Sequence, residues 1–237
     1  MIFINETKLD GSIPFSFYSN KYYRIIRRDK SRRSGGLLIF IKKHYNLSIV
    51  DVGAESRFDI EYIHLQLKIH KKKYNFIACY KPPVDDDNIF LNILDSLLYS
   101  IDLDDPVFII GDLNMDLLNN LNVNLSNYLN DNGLVNFVYK PTRIKSIFIK
   151  NTNEFKCSET LIDVVLHNYD LIVSTHSIPC SFSDHNFVSG NIKIKKERHN
   201  NQTAIGRNLS ITNINKIIVA IESLNYCQYE FTNDVSV

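Results

Sequence analysis

No apolar run in these 237 residues approaches the roughly 20 that a helix needs to cross a bilayer, which excludes a helical membrane protein. The opening MIFINETKLDG lacks the basic lead of a secretory signal and reaches the acidic Glu6 after a few apolar side chains. Cysteine is sparse. Cys79, Cys157, Cys180 and Cys227 lie far apart with no CxxC pair, which fits neither a zinc site nor the disulfide framework of a small secreted domain. They read as reduced thiols of a nuclear or cytoplasmic protein. Charge of one sign is also lacking: with a formal net charge of +1 and a pI of about 7.7, binding to a polyanion must depend on a local patch. Internal repeats and low-complexity tracts are absent.

What is present is a chain that is 44% hydrophobic and 22% charged, enough for one large domain or two small ones. Short runs rich in β-branched and aromatic residues predict strands at MIFI, at 35–41, 74–80, 107–112, 160–166 and 186–194. Between Tyr62 and Ile69, apolar Ile63, Leu65, Leu67 and Ile69 alternate with polar residues, the period of a strand wet on one face. HKKK at 70–73 then reads as a hairpin turn. Ile89, Phe90, Ile93, Leu94, Leu97, Leu98 and Ile101 fall at helical spacing and predict a helix over 87–101, capped by Asp86 or Asp87. A shorter helix is expected over 123–132, stopping at Gly133. Strands outnumber helices and many look hairpin-linked, which predicts a layered α/β protein with mixed or antiparallel sheets. After Ile194 the sequence turns polar and basic, then helical in character. A boundary near 195 separates a domain of residues 1–194 from a partly helical tail, 195–237.

The chemistry concentrates at predicted strand ends. In PVFIIGDLNMDLL, residues 106–118, an apolar strand runs through Gly111 into Asp112, Asn114 and Asp116. A carboxylate there can ligate a hard cation or take a proton from water, and a neighbouring amide can hold a phosphate oxygen without adding negative charge. An Asx-rich turn is the alternative. Other ends offer Glu6 in FINE, Tyr80 in ACYKPP, Asp163 in LIDVVL, and Asp184 beside His185 in SFSDHNF. Each alone has a structural reading as a solvated, core or turn residue.

Taken in order, NETKLD, GGLLIFI, YKPP, GDLNMD, TLIDVVL and SDHNF resemble the endonuclease/exonuclease/phosphatase superfamily. Within it the run is similar to the endonuclease domains of non-LTR retrotransposons, relatives of the apurinic/apyrimidinic endonucleases. The resemblance spans residues 1 to about 194. It implies a four-layer α/β/β/α sandwich of two mixed sheets flanked by helices, with Mg2+ (or Mn2+) as cofactor and phosphodiester hydrolysis as the reaction. It further implies Glu6 as a metal ligand and Asp112 as the residue that activates water, with Asn114 as its orienting partner. Asp163 would orient the catalytic His185, Asp184 would lie near the metal, and Tyr80 would hydrogen-bond a phosphate oxygen. Ser183 and Thr142, the latter in PTR at 141–143, would touch the phosphate or the nucleic-acid backbone. The physical requirements agree: in-line attack on a phosphodiester needs a hard cation, an imidazolium and a neutral donor around one phosphate.

Family members also carry an upstream strand with a metal-supporting asparagine, whereas this chain opens at the Glu6 motif, so an N-terminally truncated domain is expected. The basic cluster KYYRIIRRDKSRR, 21–33, includes Arg27, Arg28, Arg32 and Arg33 and reads as a loop that tracks DNA phosphates, or else as a solvated hairpin. The resulting expectation is a Mg2+-dependent DNA endonuclease whose partners are DNA and a downstream reverse transcriptase. The alternatives are an inactive remnant acting as a binding module and a phosphoesterase of the same fold acting on a lipid or inositol phosphate.

Overall fold

A computed structural model describes residues 1–54, 60–69, 71–102, 104–118, 122–149, 153–194 and 211–223. The chain separates into two compact units, Met1–Lys196 and Glu197–Val237. In the second unit the described element is a helix, Ile211–Glu222. Among the described residues no helix is long and apolar enough to cross a membrane.

The first unit is built on a six-stranded mixed sheet. Its strands are β4 (Leu47–Ala54), β5 (Glu61–Ile69), β6 (Lys72–Tyr80), β7 (Val107–Asp112), β11 (Asp163–His167) and β8 (Val135–Asn136), in that spatial order. All pairs are antiparallel except β6 with β7. That parallel pair needs a crossover, and α1 (Asp87–Tyr99) supplies it. Phe90, Leu91, Leu94, Leu97 and Leu98 form the buried stripe of α1, and the Asp86 side chain caps it by accepting from the Asn88 N–H at 2.7 Å. A second helix, α2 (Val123–Asp131), starts at an Asn122 cap and is followed by Gly133 with φ +62°.

A three-stranded antiparallel sheet, β1 (Ile2–Ile4), β3 (Leu37–Lys42) and β2 (Tyr23–Arg28), packs on the six-stranded one. Phe3 of β1 stacks on Phe76 of β6, which stacks on Phe108 of β7 at 4.8 Å, so the two sheets share one core. Two hairpins complete the unit: β9 (Arg143–Ile149) with β10 (Glu154–Thr160), and β12 (Ile172–Ile178) with β13 (Phe187–Ile192).

Three local expectations change. The turn after β5 is tighter than HKKK suggests, because Ile69 already pairs with Lys72 and Lys68 with Lys73, and Lys71 has φ +69°; His70 lies outside the described residues. The run 160–166 is not one strand. The chain leaves β10 at Thr160, and Leu161 and Ile162 bind the segment after β7: the Leu161 N–H donates to Asp116 Oδ1 at 2.8 Å, and the Leu113 N–H to the Ile162 carbonyl at 3.0 Å. Finally, about half of the basic cluster is strand β2 rather than loop, with Ile26 buried in the core and Ile25 buried on the opposite face.

Candidate active site

The polar residues gather where β6, β7 and β11 meet. Asp112 is the register partner of Tyr80 on one side and of Asp163 on the other. The parallel approach of β6 and β7 requires Gly111, since a Cβ there would lie 1.8 Å from the Cys79 carbonyl oxygen. Gly111 is therefore a close-approach position inside the strand. One residue later Asp112 is 5% exposed. Burial, then the Asp163 carboxylate, push its pKa up to about 7, against the pull of the Asn114 N–H and His185.

His185 comes from the loop before β13. Its Nδ1 lies 2.9 Å from Asp163 Oδ2, and this hydrogen bond and charge raise the imidazole pKa. The protonated ring donates from Nδ1, which leaves Nε2 for a substrate oxygen. One ligand atom each from Asp112, Asp163 and His185 lie within 4.8 Å of one another. Glu6 reaches the same rim from the loop after β1, where the Tyr80 hydroxyl donates to Glu6 Oε1. Burial and that carboxylate raise the Tyr80 pKa, so the phenol stays protonated.

Both Glu6 and Asn114 sit in the left-handed region, each at φ +49°, a conformation that persists only where neighbours hold it. Around Glu6 the holders are the Thr7 and Lys8 N–H groups, which donate to the Gly36 and Gly35 carbonyls at 3.1 and 2.9 Å. Gly36 has φ +94° and no room for a side chain, because a Cβ would meet Thr7 Oγ1 at 2.3 Å. Its N–H donates to the buried Glu61 carboxylate, which Arg28 and Lys30 flank at 3.6 and 3.7 Å. Around Asn114 the holders are Asp112 Oδ1, which accepts its N–H, and the Lys81 carbonyl, which accepts Nδ2–H; both distances are 2.9 Å.

Other expected site residues have different occupations. Thr142 is fully buried, and its Oγ1 accepts the N–H groups of Ile162 at 3.2 Å and Asp163 at 3.0 Å, so it holds the strand that carries Asp163. Ser183 Oγ accepts the His185 N–H at 3.0 Å, shaping the loop. Asp184 is paired with Arg143 Nε at 2.8 Å, which lowers its pKa. Arg27 donates to the Ile13 and Asp10 carbonyls and pairs with Asp29; Arg28 donates to the Gly53 carbonyl at 2.9 Å and flanks Glu61. These two arginines hold the fold. Arg33 is exposed, and Arg32 is exposed and paired with Asp10 at 3.1 Å. Lys81, Glu61 and Arg143 support the rim and escaped the sequence reading; the signal for Lys81 was an ammonium set between a strand end and Pro82–Pro83.

The donor set fits a hard cation. Asp112 and Asp163 offer carboxylate oxygens within 4.8 Å of each other and of His185, Glu6 approaches the same rim through Tyr80, and the amide oxygen of Asn5, next to Glu6 in the chain, is buried without a hydrogen-bond partner. His185 is matched by Asp163, Arg143 by Asp184, and the exposed Lys8 pairs loosely with Glu6 at 3.9 Å, which leaves the Asp112 carboxylate with no ion pair of its own among the described residues.

No family model matches the sequence, and no curated protein does either. Solved structures do. The endonuclease domain of TRAS1, a telomere-specific non-LTR retrotransposon, is 14% identical with a TM-score of 0.57, over 76% of this chain and 84% of that one. An AP endonuclease from Archaeoglobus fulgidus is 13% identical with a TM-score of 0.56, over 81% and 88%. An endonuclease/exonuclease/phosphatase family protein from Leptotrichia buccalis is 16% identical with a TM-score of 0.53, over 76% and 75%. With its mixed six-stranded sheet packed on an antiparallel one, its helices and a polar rim where β6, β7 and β11 meet, the chain carries the endonuclease/exonuclease/phosphatase fold.

Proposed function

We propose that this protein is a Mg2+- or Mn2+-dependent endonuclease that hydrolyses a DNA phosphodiester, nicking target DNA for retrotransposition beside a reverse transcriptase encoded downstream. The observation that carries the reading is the meeting of Asp112, Asp163 and His185, from three separate stretches of chain, within 4.8 Å of one another. A structural Asx turn would require none of that convergence. The likeness of fold to a retrotransposon endonuclease domain supports DNA as the substrate.

Asp112, with a pKa near 7, is matched to accept a proton from an attacking water at neutral pH. Asn114 lies beside it to orient that water and a phosphate oxygen. His185, held protonated by Asp163, donates from Nε2 to a nonbridging oxygen as negative charge builds in the transition state. A divalent cation held by Glu6, with Asp184 and Asp112 nearby, supplies charge neutralisation at the phosphate when bound. Arg32 and Arg33 contribute exposed positive charge in the loop after β2 for the DNA backbone.

The deciding experiment is nicking of supercoiled plasmid by the purified chain with Mg2+, with EDTA, and with His185→Ala. Mg2+-dependent nicking lost in the other two arms supports the proposal. DNA binding without nicking in any arm leaves the binding-module reading, and hydrolysis of a phosphoinositide in preference to plasmid selects the lipid phosphoesterase.

A further inference from the structure

We infer that the buried ammonium of Lys81 and the part-exposed carboxylate of Asp87 form an ionic clamp that positions Asn114 and Asp112 from outside the site. This rests on the nuclease reading above only for its consequence on rate. Lys81 is 1% exposed and ranks among the largest fully buried side chains of the protein. An ammonium is that deeply buried only when it is paired and hydrogen-bonded. Lys81 Nζ lies 3.0 Å from Asp87 Oδ1 and donates to the Pro82 carbonyl at 3.2 Å.

The two ends of the clamp reach different things. Asp87 is the first residue of α1, where a carboxylate also answers the positive end of the helix dipole. Its second oxygen accepts from Asn122 Nδ2 at 3.0 Å, and Asn122 Oδ1 caps α2 by accepting the Leu125 N–H at 2.8 Å. The clamp thus joins the starts of both helices. At the other end, the Lys81 N–H donates to the Asp112 carbonyl at 3.0 Å, and the Lys81 carbonyl accepts Asn114 Nδ2 at 2.9 Å. Fixing the Lys81 side chain fixes the peptide groups that hold both residues, and Asn114 needs such holding because of its left-handed backbone. Lys81 touches no reacting atom in this scheme. It is a positioning residue.

The test compares Lys81→Met, Lys81→Arg and the double variant Lys81→Met/Asp87→Asn in the full chain. Three readouts are taken: melting temperature, single-turnover nicking, and the side-chain amide resonances of Asn114. Lys81→Met removes the counterion of Asp87, whose part-exposed carboxylate keeps its bond from Asn122, and lowers the melting temperature; the double variant removes that charge and recovers part of the loss. Positioning is not recovered. In both Met variants the Asn114 amide resonances shift or broaden and nicking falls by about thirtyfold, with DNA affinity within about twofold, as expected for misplacement of a reacting group by a fraction of an ångström. Lys81→Arg keeps the charge and restores part of the rate. If the double variant regains rate together with stability, or if the Asn114 resonances stay in place, the clamp is merely structural and the inference is overturned. If the parent chain itself does not nick, the nuclease reading fails, and the Asn114 resonances alone decide whether the clamp exists.

Discussion

Asp112 and Asp163 are register partners across the antiparallel pair β7–β11, so two carboxylates stand side by side at one strand end while a single imidazole, His185, bonds only the second. The unmatched member is also the more buried. That asymmetry gives the pair different duties and makes Asp112 a destabilising residue at neutral pH.

The sign follows from proton counts. In the folded chain Asp112 titrates near 7, above its ordinary 3.8, so between those values the folded state holds a proton that the unfolded state has lost. Its contribution to stability therefore falls as pH rises through that window. His185 acts in the same direction, because its raised pKa gives stability present below about 6.5 and lost above the folded value. Asp112→Asn isolates the first contribution: it should raise the melting temperature by about 5 °C at pH 8 and by little at pH 4. Nicking should fall by about a hundredfold or more. Calorimetry at the two pH values checks it, and an equal shift at both would remove the buried-charge account.

Two pairs of arginines should separate. Arg27 and Arg28 donate to main-chain carbonyls and flank acidic groups, so Arg27→Ala/Arg28→Ala should lower the melting temperature and leave the Glu61 carboxylate short of a partner. Arg32→Ala/Arg33→Ala should leave stability within about 0.5 kcal/mol, and should weaken DNA binding with a shallower salt dependence as fewer counterions are released. Binding isotherms at several salt concentrations, run beside thermal melts, distinguish the pairs. Equal loss of DNA affinity at equal stability would return Arg27 and Arg28 to the DNA face.

What the sequence disclosed, and what it withheld, divides along physical lines. Local signals were legible: the period of two in β5, the apolar stripe and Asp86 cap of α1, and Gly133 after α2 are all written in neighbouring residues. The strand ends that carry Glu6, Tyr80, Asp112, Asp163 and His185 were legible as an ordered set of motifs. Exposure was not. Charge composition cannot distinguish a solvated arginine from Arg27 or Arg28, whose carbonyl acceptors lie 14 and 25 residues away in the chain. Nor can a PTR motif reveal that the Thr142 hydroxyl faces inward, since its partners come from β11 and the segment before it, 20 and 21 residues on.

Thr142 makes its own prediction. Thr142→Val keeps the shape and deletes the acceptor, leaving the Ile162 and Asp163 N–H groups buried and unpaired, at a cost of about 2–4 kcal/mol. Thr142→Ser should retain most of the stability. Denaturant unfolding measures both. If Thr142→Val is as stable as the parent but binds DNA less tightly, the hydroxyl faces the nucleic acid after all.

Tyr80 offers the sharpest test of the proposed metal-binding role of Glu6. Its hydroxyl donates to Glu6 Oε1, and the phenol stays protonated because burial and that carboxylate raise its pKa. A donor behind a metal ligand fixes the ligand's orientation, and removing such a partner typically weakens metal binding by about 10–100-fold. Tyr80→Phe should therefore raise the Mg2+ concentration needed for half-maximal nicking by about tenfold, while the rate at saturating Mg2+ falls much less. Glu6→Gln should show the same effect more strongly. The combined variant should resemble Glu6→Gln alone, because the two residues act through one contact. A Tyr80 hydroxyl that instead touches the scissile phosphate predicts the opposite pattern: an unchanged Mg2+ requirement, a lower saturated rate, and effects of the two substitutions that add. Metal titrations of the four proteins at fixed DNA concentration decide between them.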